Sequence, residues 1–337
     1  MKKLLIAGGC GFVGSCLVKL ALKKKYKILN IDKLNYASRK LKISNKNYSF
    51  KKVNLGDVKK LEKIFNNFKP NYVINCAAES HVDRSIESPK VFFDSNTIGT
   101  VNLLYESIKY KNLRFLQIST DEVFGSLSKK QKKFDEKSKY KPNSPYSASK
   151  AAADHAVRSF GETYNLDYII TNSSNNFGPF QYPEKLIPVV INSLMNKTKI
   201  PIYGKGLNFR DWIYVEDHVD AILLCLEKGK SKNTYLIGAN TELTNLELVK
   251  QIIKEYQKIT KERENLNKLI SFVEDRKSHD FRYAINNNKI RKTLKWRTKN
   301  NFRDNLIQTI KFYIKNKHII KHLYSNDAWL KRKYTQK

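Results

Sequence analysis

The fold of this chain is decided by the stretch Leu4-Leu5-Ile6-Ala7-Gly8-Gly9-Cys10-Gly11-Phe12-Val13-Gly14-Ser15. Its apolar beginning predicts a buried strand, and a helical pattern follows its end. Between the two, the glycines at 9, 11 and 14 satisfy the spacing G-x-G-x-x-G, and those at 8, 11 and 14 satisfy G-x-x-G-x-x-G. Such glycines let the backbone turn tightly and approach a pyrophosphate, which then lies at the helix N-terminus. The stretch therefore predicts a dinucleotide-binding unit in an α/β fold with a doubly wound parallel Rossmann sheet.

A carboxylate follows the second predicted strand. Residues 26–31 form an apolar run that ends at Asp32, about 20 residues beyond the glycine loop, as the dinucleotide-binding pattern requires. An acid there can accept a hydrogen bond from a ribose 2′-hydroxyl and would repel a 2′-phosphate. The pattern therefore favours NAD over NADP. A third predicted strand, residues 48–53, leads to Asn54, which can reach an adenine edge.

A hydroxyl and two adjacent carboxylates, Thr120, Asp121 and Glu122, follow the apolar run at 115–118. Ligands of open parallel α/β sheets bind at the carboxyl ends of the strands, so these side chains can act on the protons of a substrate. They could instead cap a turn or the next helix.

Tyr146 and Lys150 follow Pro145, a favourable first residue of a helix, and lie one helical turn apart. The spacing Y-x-x-x-K is common in this chain, so the position after a strand ending in polar residues singles out this pair. A nearby ammonium favours the phenolate, which is the form that a tyrosine base needs.

Composition limits the remaining classes. The 337 residues are 41% hydrophobic and contain no run of eighteen or more apolar residues, so no membrane span is expected. The four cysteines and six histidines show no metal-ligand spacing, which predicts a reduced, cytoplasmic protein without a metal site. The net charge of +33 would suit a nucleic-acid partner. Because the positive residues are mostly lysines spread along the whole chain, solvated faces are the favoured interpretation.

The alternation of strands and helices loosens in the second half of the chain. We expect a Rossmann domain built from residues 1–178 and 213–238, and a smaller α/β domain built from 179–212 and 239–337. Four basic residues of the smaller domain are candidates for a diphosphate clamp, because arginine suits phosphate oxygens: Arg210, Arg276, His279 and Arg282.

Taken together, these residues resemble the dTDP-glucose 4,6-dehydratases of the extended short-chain dehydrogenase/reductase superfamily. The resemblance runs from Gly8 to about Trp329 and is carried by residues 77–85, 119–125, 145–150 and 204–218. The adjacent Asp and Glu are its discriminating feature, since related epimerases and decarboxylases lack that pair.

The resemblance implies NAD-dependent dehydration of dTDP-glucose to dTDP-4-dehydro-6-deoxyglucose, a step of deoxysugar or rhamnose biosynthesis. Tyr146, its pKa lowered by Lys150 and the nicotinamide, would take the proton of the sugar 4-hydroxyl, which Thr120 orients. Glu122 would then remove the proton on carbon 5, and Asp121 would protonate the departing 6-hydroxyl. Lys150 would also hold the nicotinamide ribose.

The resemblance further implies two sets of contacts and a homodimer that packs helices near 96–109 and 146–162, without nucleic acid or membrane. The cofactor would contact Gly8, Gly11, Phe12, Val13, Gly14, Asp32, Asn54, Ala77, Ala78, Ser119, Tyr146 and Lys150. The substrate would contact Ser80, His81, Thr120, Asn175, Glu184, Lys185, Leu186, Arg210, Asn245, His279, Arg282 and Tyr283.

Three alternatives remain open at this point. A UDP-glucose 4,6-dehydratase would differ only in its base pocket, which the sequence does not reveal. A sugar-nucleotide 4-epimerase would have no use for the adjacent Asp121 and Glu122. A non-enzymatic NAD-binding regulator would have little reason to keep these residues together with Tyr146 and Lys150.

Overall fold

The computed structural model describes residues 1–334. Its strands are β1 (Lys3–Ala7), β2 (Lys27–Asp32), β3 (Tyr48–Lys52), β4 (Tyr72–Asn75), β5 (Arg114–Thr120), β6 (Asp167–Ser173), β7 (Asn175–Phe177), β8 (Ile200–Tyr203), β9 (Phe209–Tyr214), β10 (Asn233–Ile237), β11 (Glu242–Thr244) and β12 (Ile270–Val273).

The α-helices are α1 (Phe12–Lys23), α2 (Val58–Phe68), α3 (Val82–Glu87), α4 (Pro89–Phe92), α5 (Gly99–Ser107), α6 (Pro145–Thr163), α7 (Leu186–Asn196), α8 (Val215–Lys228), α9 (Asn245–Thr260), α10 (Asn288–Leu294), α11 (Phe302–Lys315), α12 (Lys317–Asn326) and α13 (Ala328–Tyr334). A π-helical turn (Phe93–Ile98) joins α4 to α5, and 3-10 turns occupy Asp121–Phe124 and Leu266–Leu269.

The main sheet has seven strands in the order β10-β6-β5-β4-β1-β2-β3, and every pair in it is parallel. The chain starts in the middle, at β1, winds outward to β3 and then returns to β4 on the other side. A crevice forms at such a reversal, outside the carboxyl ends of the strands. The predicted doubly wound parallel sheet is confirmed.

Helices cover both faces of this sheet. Successive side chains of a strand point to opposite faces, so Leu4 and Ile6 pack with α1 and α8. Leu5 and Ala7 belong to the core of the other face, which α2, α5 and α6 complete. All four side chains are fully buried. Apolar residues on both faces explain why β1 reads as a continuous apolar run rather than an alternating one.

A second core lies in the later part of the chain. The helices α7, α9 and α11 to α13 bury apolar side chains against β8 and β9. Thr244 caps α9, since its hydroxyl accepts from the amide of Glu247 while the Glu247 carboxylate accepts from the amide of Thr244. The domain limits given above stay a prediction, and their last three residues lie outside the described part of the chain.

Local structure differs from the sequence prediction at three places. The helical segment expected to begin near residue 96 begins at Pro89, shortly after the end of α3. Proline suits the first position of a helix. The sequence predicts Arg210 to Trp212 just before a strand, whereas they lie inside β9. The sequence of residues 183–188 predicts a loop, whereas Leu186 to Pro188 form the first turn of α7, where proline is tolerated because the first amides have no intrahelical partner. Within residues 1–334, no helix is long and apolar enough to cross a membrane.

Candidate active site

One cleft opens at the carboxyl ends of the main-sheet strands, where the strand order reverses. It gathers predicted cofactor, catalytic and substrate residues into one wall: Gly8, Gly11, Phe12, Val13, Gly14, Asp32, Asn54, Ala77, Ala78, Ser80, Ser119, Thr120, Asp121, Glu122, Tyr146, Lys150, Asn175, Glu184 and Lys185.

The glycine loop is shaped by two different needs. A Cβ on Gly14 would lie 2.1 Å from the carbonyl oxygen of Gly8, and Gly8 itself has a φ of +81° and sits against Ala77. These two glycines are required by the packing of the chain. Gly11 is not, because its Cβ would meet nothing closer than 3.5 Å. Gly11 also caps α1 without a side-chain hydrogen bond, which leaves the first amides of the helix available to an anion. This geometry fits a pyrophosphate.

Asp32 is held at the end of β2 by the chain around it. Its Oδ2 accepts from the amide of Cys10 at 2.9 Å, and its Oδ1 accepts from the amide of Leu34 at 2.8 Å and from the hydroxyl of Ser38. A carboxylate has about four lone-pair sites, so it can still accept from a ribose hydroxyl. Asn54, at the exposed rim, accepts from the amide of Gly56 through its Oδ1.

Thr120, Asp121 and Glu122 follow one another where β5 ends and a 3-10 turn begins. The Thr120 hydroxyl accepts from the amide of Glu122 at 3.2 Å, so the capping interpretation of this residue is realised alongside the functional one. Asp121 is buried, and its Oδ2 has no hydrogen-bond partner among the described residues. A polar oxygen left in this state is available to a substrate.

The two carboxylates have different electrostatic surroundings. Burial raises the pKa of Asp121 well above its ordinary value, and the carboxylates of Glu122 and Asp211 raise it further. Burial also raises the pKa of Glu122, but the cationic groups of Arg276, Lys185 and Arg210 oppose that rise. Asp121 therefore keeps its proton more firmly than Glu122 does. A neighbouring acid and base are separated in the same physical way in known enzymes.

Tyr146 and Lys150 lie one turn apart at the start of α6, with Tyr146 buried beside the two carboxylates. Burial, and next the carboxylate of Glu122, raise the pKa of Tyr146, while a hydrogen bond with Thr120 lowers it. In the chain by itself the pKa of Tyr146 is therefore raised, and its lowering by Lys150 together with the nicotinamide stays a prediction for the complex. The Lys150 ammonium instead donates to the carbonyl of Ile118 at 2.7 Å. A phenolate at neutral pH needs a further positive charge, such as that of an oxidised nicotinamide.

Seven predicted substrate residues lie outside the wall of the cleft: His81, Leu186, Arg210, Asn245, His279, Arg282 and Tyr283. Arg282 points away, since its guanidinium binds the carboxylate of Glu242 at 2.8 Å and the carbonyl of Gln131 at 2.8 Å. Arg210 is buried over the ring of Tyr283 and donates to the carbonyl of Asp280. Its charge still acts on Glu122.

The other residues of this group are held by structural contacts. His81 is buried, with its Nε2 3.3 Å from the carbonyl of Glu184 and its ring against Trp329. His279 binds the carboxylate of Asp275 at 2.6 Å, and burial lowers its pKa to about 4. Leu186 and Asn245 are the first residues of α7 and α9.

Comparison with known proteins adds the family. The model of the GDP-mannose 4,6 dehydratase family matches residues 5–309. The dTDP-glucose 4,6-dehydratase of Haemophilus influenzae is 42% identical over 334 residues, which cover 94% of this chain and 99% of the relative. This chain belongs to the dTDP-glucose 4,6-dehydratase family.

Solved structures of dehydratases agree with that assignment. DesIV of Streptomyces venezuelae, a dTDP-glucose 4,6-dehydratase with NAD bound, superposes with a TM-score of 0.89 at 35% identity, covering 95% of this chain and 99% of that one. The Bacillus anthracis dTDP-glucose 4,6-dehydratase, in complex with NAD, gives 0.87 at 41% identity, covering 96% and 100%.

Several cleft residues of this dehydratase were not predicted from the sequence. The loop after β2 contributes Lys33, Asn35 and Tyr36, and the later part of the chain contributes Gln181 and His218. Lys33, Asn35 and Tyr36 follow Asp32 directly in the sequence, and this position could have indicated that they line the cofactor site. Lys33 pairs with the carboxylate of Glu79 at 2.6 Å, and Asn35 donates to the same group. These contacts join the loop after β2 to the polar segment that follows β4 at the wall of the cleft.

Arg84 links the segment of Asp327 and α13 to the rim of the dehydratase cleft. Its guanidinium binds the carboxylates of Glu184 at 2.8 Å and Asp327 at 2.7 Å. It also lies over the rings of Tyr36, at 3.8 Å, and Trp329, at 4.4 Å. These contacts hold α13 against the short segment that includes Glu184 and Lys185.

Proposed function

We propose that this enzyme converts dTDP-glucose to dTDP-4-dehydro-6-deoxyglucose and water with NAD as its cofactor. The observation that carries the proposal is the pair Asp121 and Glu122, which lie in one cleft beside Tyr146 and differ in how firmly they hold a proton. Elimination of water across carbons 5 and 6 needs a base and an acid side by side. A 4-epimerase has no such elimination and no such need.

Each catalytic side chain has a task that its surroundings support. A bound NAD would supply the hydride chemistry of the reaction, which is oxidation at carbon 4 of the sugar and reduction at carbon 6. Tyr146 would accept the proton of the 4-hydroxyl, and Thr120, the last residue of β5 in the same cleft, would orient that hydroxyl. Because the resulting 4-ketone acidifies carbon 5, Glu122 can remove the proton there. Asp121, still protonated, would give its proton to the 6-hydroxyl so that water leaves, and Glu122 would return a proton to carbon 5 when carbon 6 is reduced.

Residues of the chain would hold the two ligands around this centre. Gly11 and the free amides at the start of α1 would receive the pyrophosphate of NAD, Asp32 its adenosine ribose, and Lys150 its nicotinamide ribose. Lys185, whose ammonium donates to the carbonyl of Ser80 at 2.7 Å, supplies positive charge next to Glu122 for the substrate.

We further propose a homodimer that works in the cytoplasm. Apolar side chains along the helical segment 89–107 are exposed, namely Val91, Phe93, Ile98 and Tyr105. They lie on the helices that pack against α6, and a second copy would cover them. All four cysteines are free thiols, which is typical of a reducing compartment.

The test is incubation of the purified protein with dTDP-glucose and, separately, with UDP-glucose. The 4-keto-6-deoxy product is measured by its alkali-induced absorbance. We expect strong product formation with dTDP-glucose and little with UDP-glucose. Product from UDP-glucose alone would show that the substrate carries uridine rather than thymidine. Interconversion at carbon 4 without loss of water would make the protein an epimerase.

A further inference from the structure

Asp154 carries a buried carboxylate that the mechanism above does not use. It follows Lys150 by one turn of α6, and its side chain is fully buried. Its Oδ2 accepts from the hydroxyl of Ser119 at 2.7 Å and from the hydroxyl of Tyr140 at 2.9 Å. Its Oδ1 has no hydrogen-bond partner among the described residues. Burying an ionisable group with part of its hydrogen-bonding capacity unused is unfavourable, so packing alone is a poor explanation.

The network around Asp154 runs from the outside of α6 to the cleft. Arg158 donates to the hydroxyl of Tyr140 at 3.0 Å, and Tyr140 in turn donates to Asp154. Ser119, at the other end, lines the cleft next to Thr120. The carboxylate therefore orients a cleft hydroxyl from behind the wall, while it does not line the cleft itself.

Lys150 and Asp154 hold two consecutive residues of β5. The ammonium of Lys150 donates to the carbonyl of Ile118, and the carboxylate of Asp154 accepts from Ser119, the next residue. Burial lowers the pKa of Lys150, and Asp154 is the larger of the two influences that oppose this lowering, the other being Cys76. Burial also raises the pKa of Asp154, and the ammonium of Lys150 is the first influence that opposes that rise, so each group favours the charged form of the other. A neutral lysine would lose its attraction for a phenolate and one donor for a ribose.

We propose that Asp154 is a positioning residue of the reaction, which fixes the Ser119 hydroxyl and, together with Lys150, the end of β5 that leads to Thr120, Asp121 and Glu122. The inference rests on the proposed function, because that function gives Lys150 its task beside Tyr146 and the nicotinamide ribose. It adds Asp154, a group that does not line the cleft but influences the protonation of Lys150 and Tyr146.

The proposal predicts a change in pH dependence. The charged and titratable groups facing these side chains are Asp154 and Cys76 at Lys150, Lys150, Tyr140 and Arg158 at Asp154, and Glu122, Asp121 and Asp154 at Tyr146. Removing the negative charge of Asp154 lowers the pKa of both Lys150 and Tyr146. A plot of the rate of the first hydride transfer against pH should have two limbs. Activity needs a charged Lys150, whose loss of a proton sets the alkaline limb. It also needs a Tyr146 that can lose its proton, and this ionisation sets the acid limb. Both limbs should move to lower pH.

The experiment uses the holoenzyme with Glu122→Gln, in which dehydration is blocked and the first hydride transfer is followed at 340 nm after mixing with dTDP-glucose. In this background, Asp154→Asn should displace both limbs by about one pH unit, the lower end of what a nearby charge supplies. Asp217→Asn is the matched control, since Asp217 is also a buried helical carboxylate but binds the amide of Lys299 away from the cleft. Its limbs should not move.

A second readout is the dissociation constant of NAD, measured by fluorescence titration across the same pH range. Asp154→Asn should weaken binding mainly on the alkaline side, where Lys150 becomes neutral. If that variant does not fold, Asp154→Ser removes the charge while keeping a hydroxyl for Ser119 and Tyr140, and the same displacement is expected.

Two results together would overturn the proposal and leave Asp154 a structural residue. In Asp154→Asn, the limbs of the pH–rate profile would stay in place while the rate falls, and NAD binding would be weakened equally at every pH. A parent Glu122→Gln protein that binds NAD but gives no signal at 340 nm would count against the proposed function instead. The two failures are therefore distinguishable.

Discussion

Replacing Asp121 by asparagine should raise the stability of this enzyme while removing most of its activity. Asparagine has nearly the shape of aspartic acid and no charge. In the folded protein, burial keeps the Asp121 carboxyl protonated well above its ordinary pKa of 3.8, whereas in the unfolded chain it ionises near that value. Between the two pKa values the folded state binds one proton more than the unfolded state, so stability falls as pH rises through this window and stays lower above it.

The magnitude follows from linkage. Each unit by which the folded-state pKa exceeds the unfolded one, counted only up to the working pH, lowers the free energy of unfolding by about 1.4 kcal/mol. Asparagine is free of this loss. We therefore expect Asp121→Asn to unfold at a higher denaturant concentration than the parent at pH 7, and the difference to vanish as the pH approaches 4.

Activity should move in the opposite direction. Asparagine cannot protonate the departing 6-hydroxyl, and general acid catalysis contributes about 10²- to 10⁴-fold, or roughly 2.7–5.5 kcal/mol of the barrier. Formation of the 4-keto-6-deoxy sugar should fall by that factor, while reduction of the bound cofactor by substrate remains visible at 340 nm. A variant that is less stable than the parent at pH 7, or that dehydrates at a normal rate, would refute the protonated, proton-donating Asp121.

Two other predictions test the glycine loop and the rim of the cleft. Gly14→Ala should unfold the protein at lower denaturant concentration, because its Cβ would lie 2.1 Å from a carbonyl oxygen, whereas Gly11→Ala should fold normally and lose NAD affinity by titration; equal stability of the two variants would contradict this division. Arg84→Met should destabilise the protein by about 3 kcal/mol, since it leaves a buried carboxylate without its partner. The matched change Lys90→Met, at an exposed ion pair, should stay within about 1 kcal/mol in the same denaturant titration.

The sequence predicted those features that depend on local spacing. Gly8, Gly14 and Asp32 could be placed because one turn and one strand fix their geometry. Thr120 and its two acidic neighbours could be placed because parallel strands all end at the same edge of a sheet. These residues do lie in one cleft.

Features that depend on distant partners could not be read in the same way. Arg282 suits a phosphate by its chemistry, but Glu242, 40 residues away in the sequence, turns its guanidinium from the cleft. Lys150 was expected to act on Tyr146 directly, yet one of the three donors of its ammonium is directed to the carbonyl of Ile118. No local spacing shows which of several partners a long side chain will choose, because that choice depends on tertiary packing.

The different roles of the two carboxylates, Asp121 as acid and Glu122 as base, depend on residues from both parts of the chain. The main sheet delivers Asp121 and Glu122 as neighbours at the end of β5, and sequence order alone gives no reason for one to be the acid and the other the base. The later part of the chain contributes to the difference, since Arg276, Lys185 and Arg210 lower the pKa of Glu122, whereas Asp211 raises the pKa of Asp121 and Arg210 opposes that rise. Without that cationic surrounding, the pKa of Glu122 would be higher and closer to that of Asp121. The dehydratase chemistry therefore belongs to the contact between the two parts, and neither part could supply it alone.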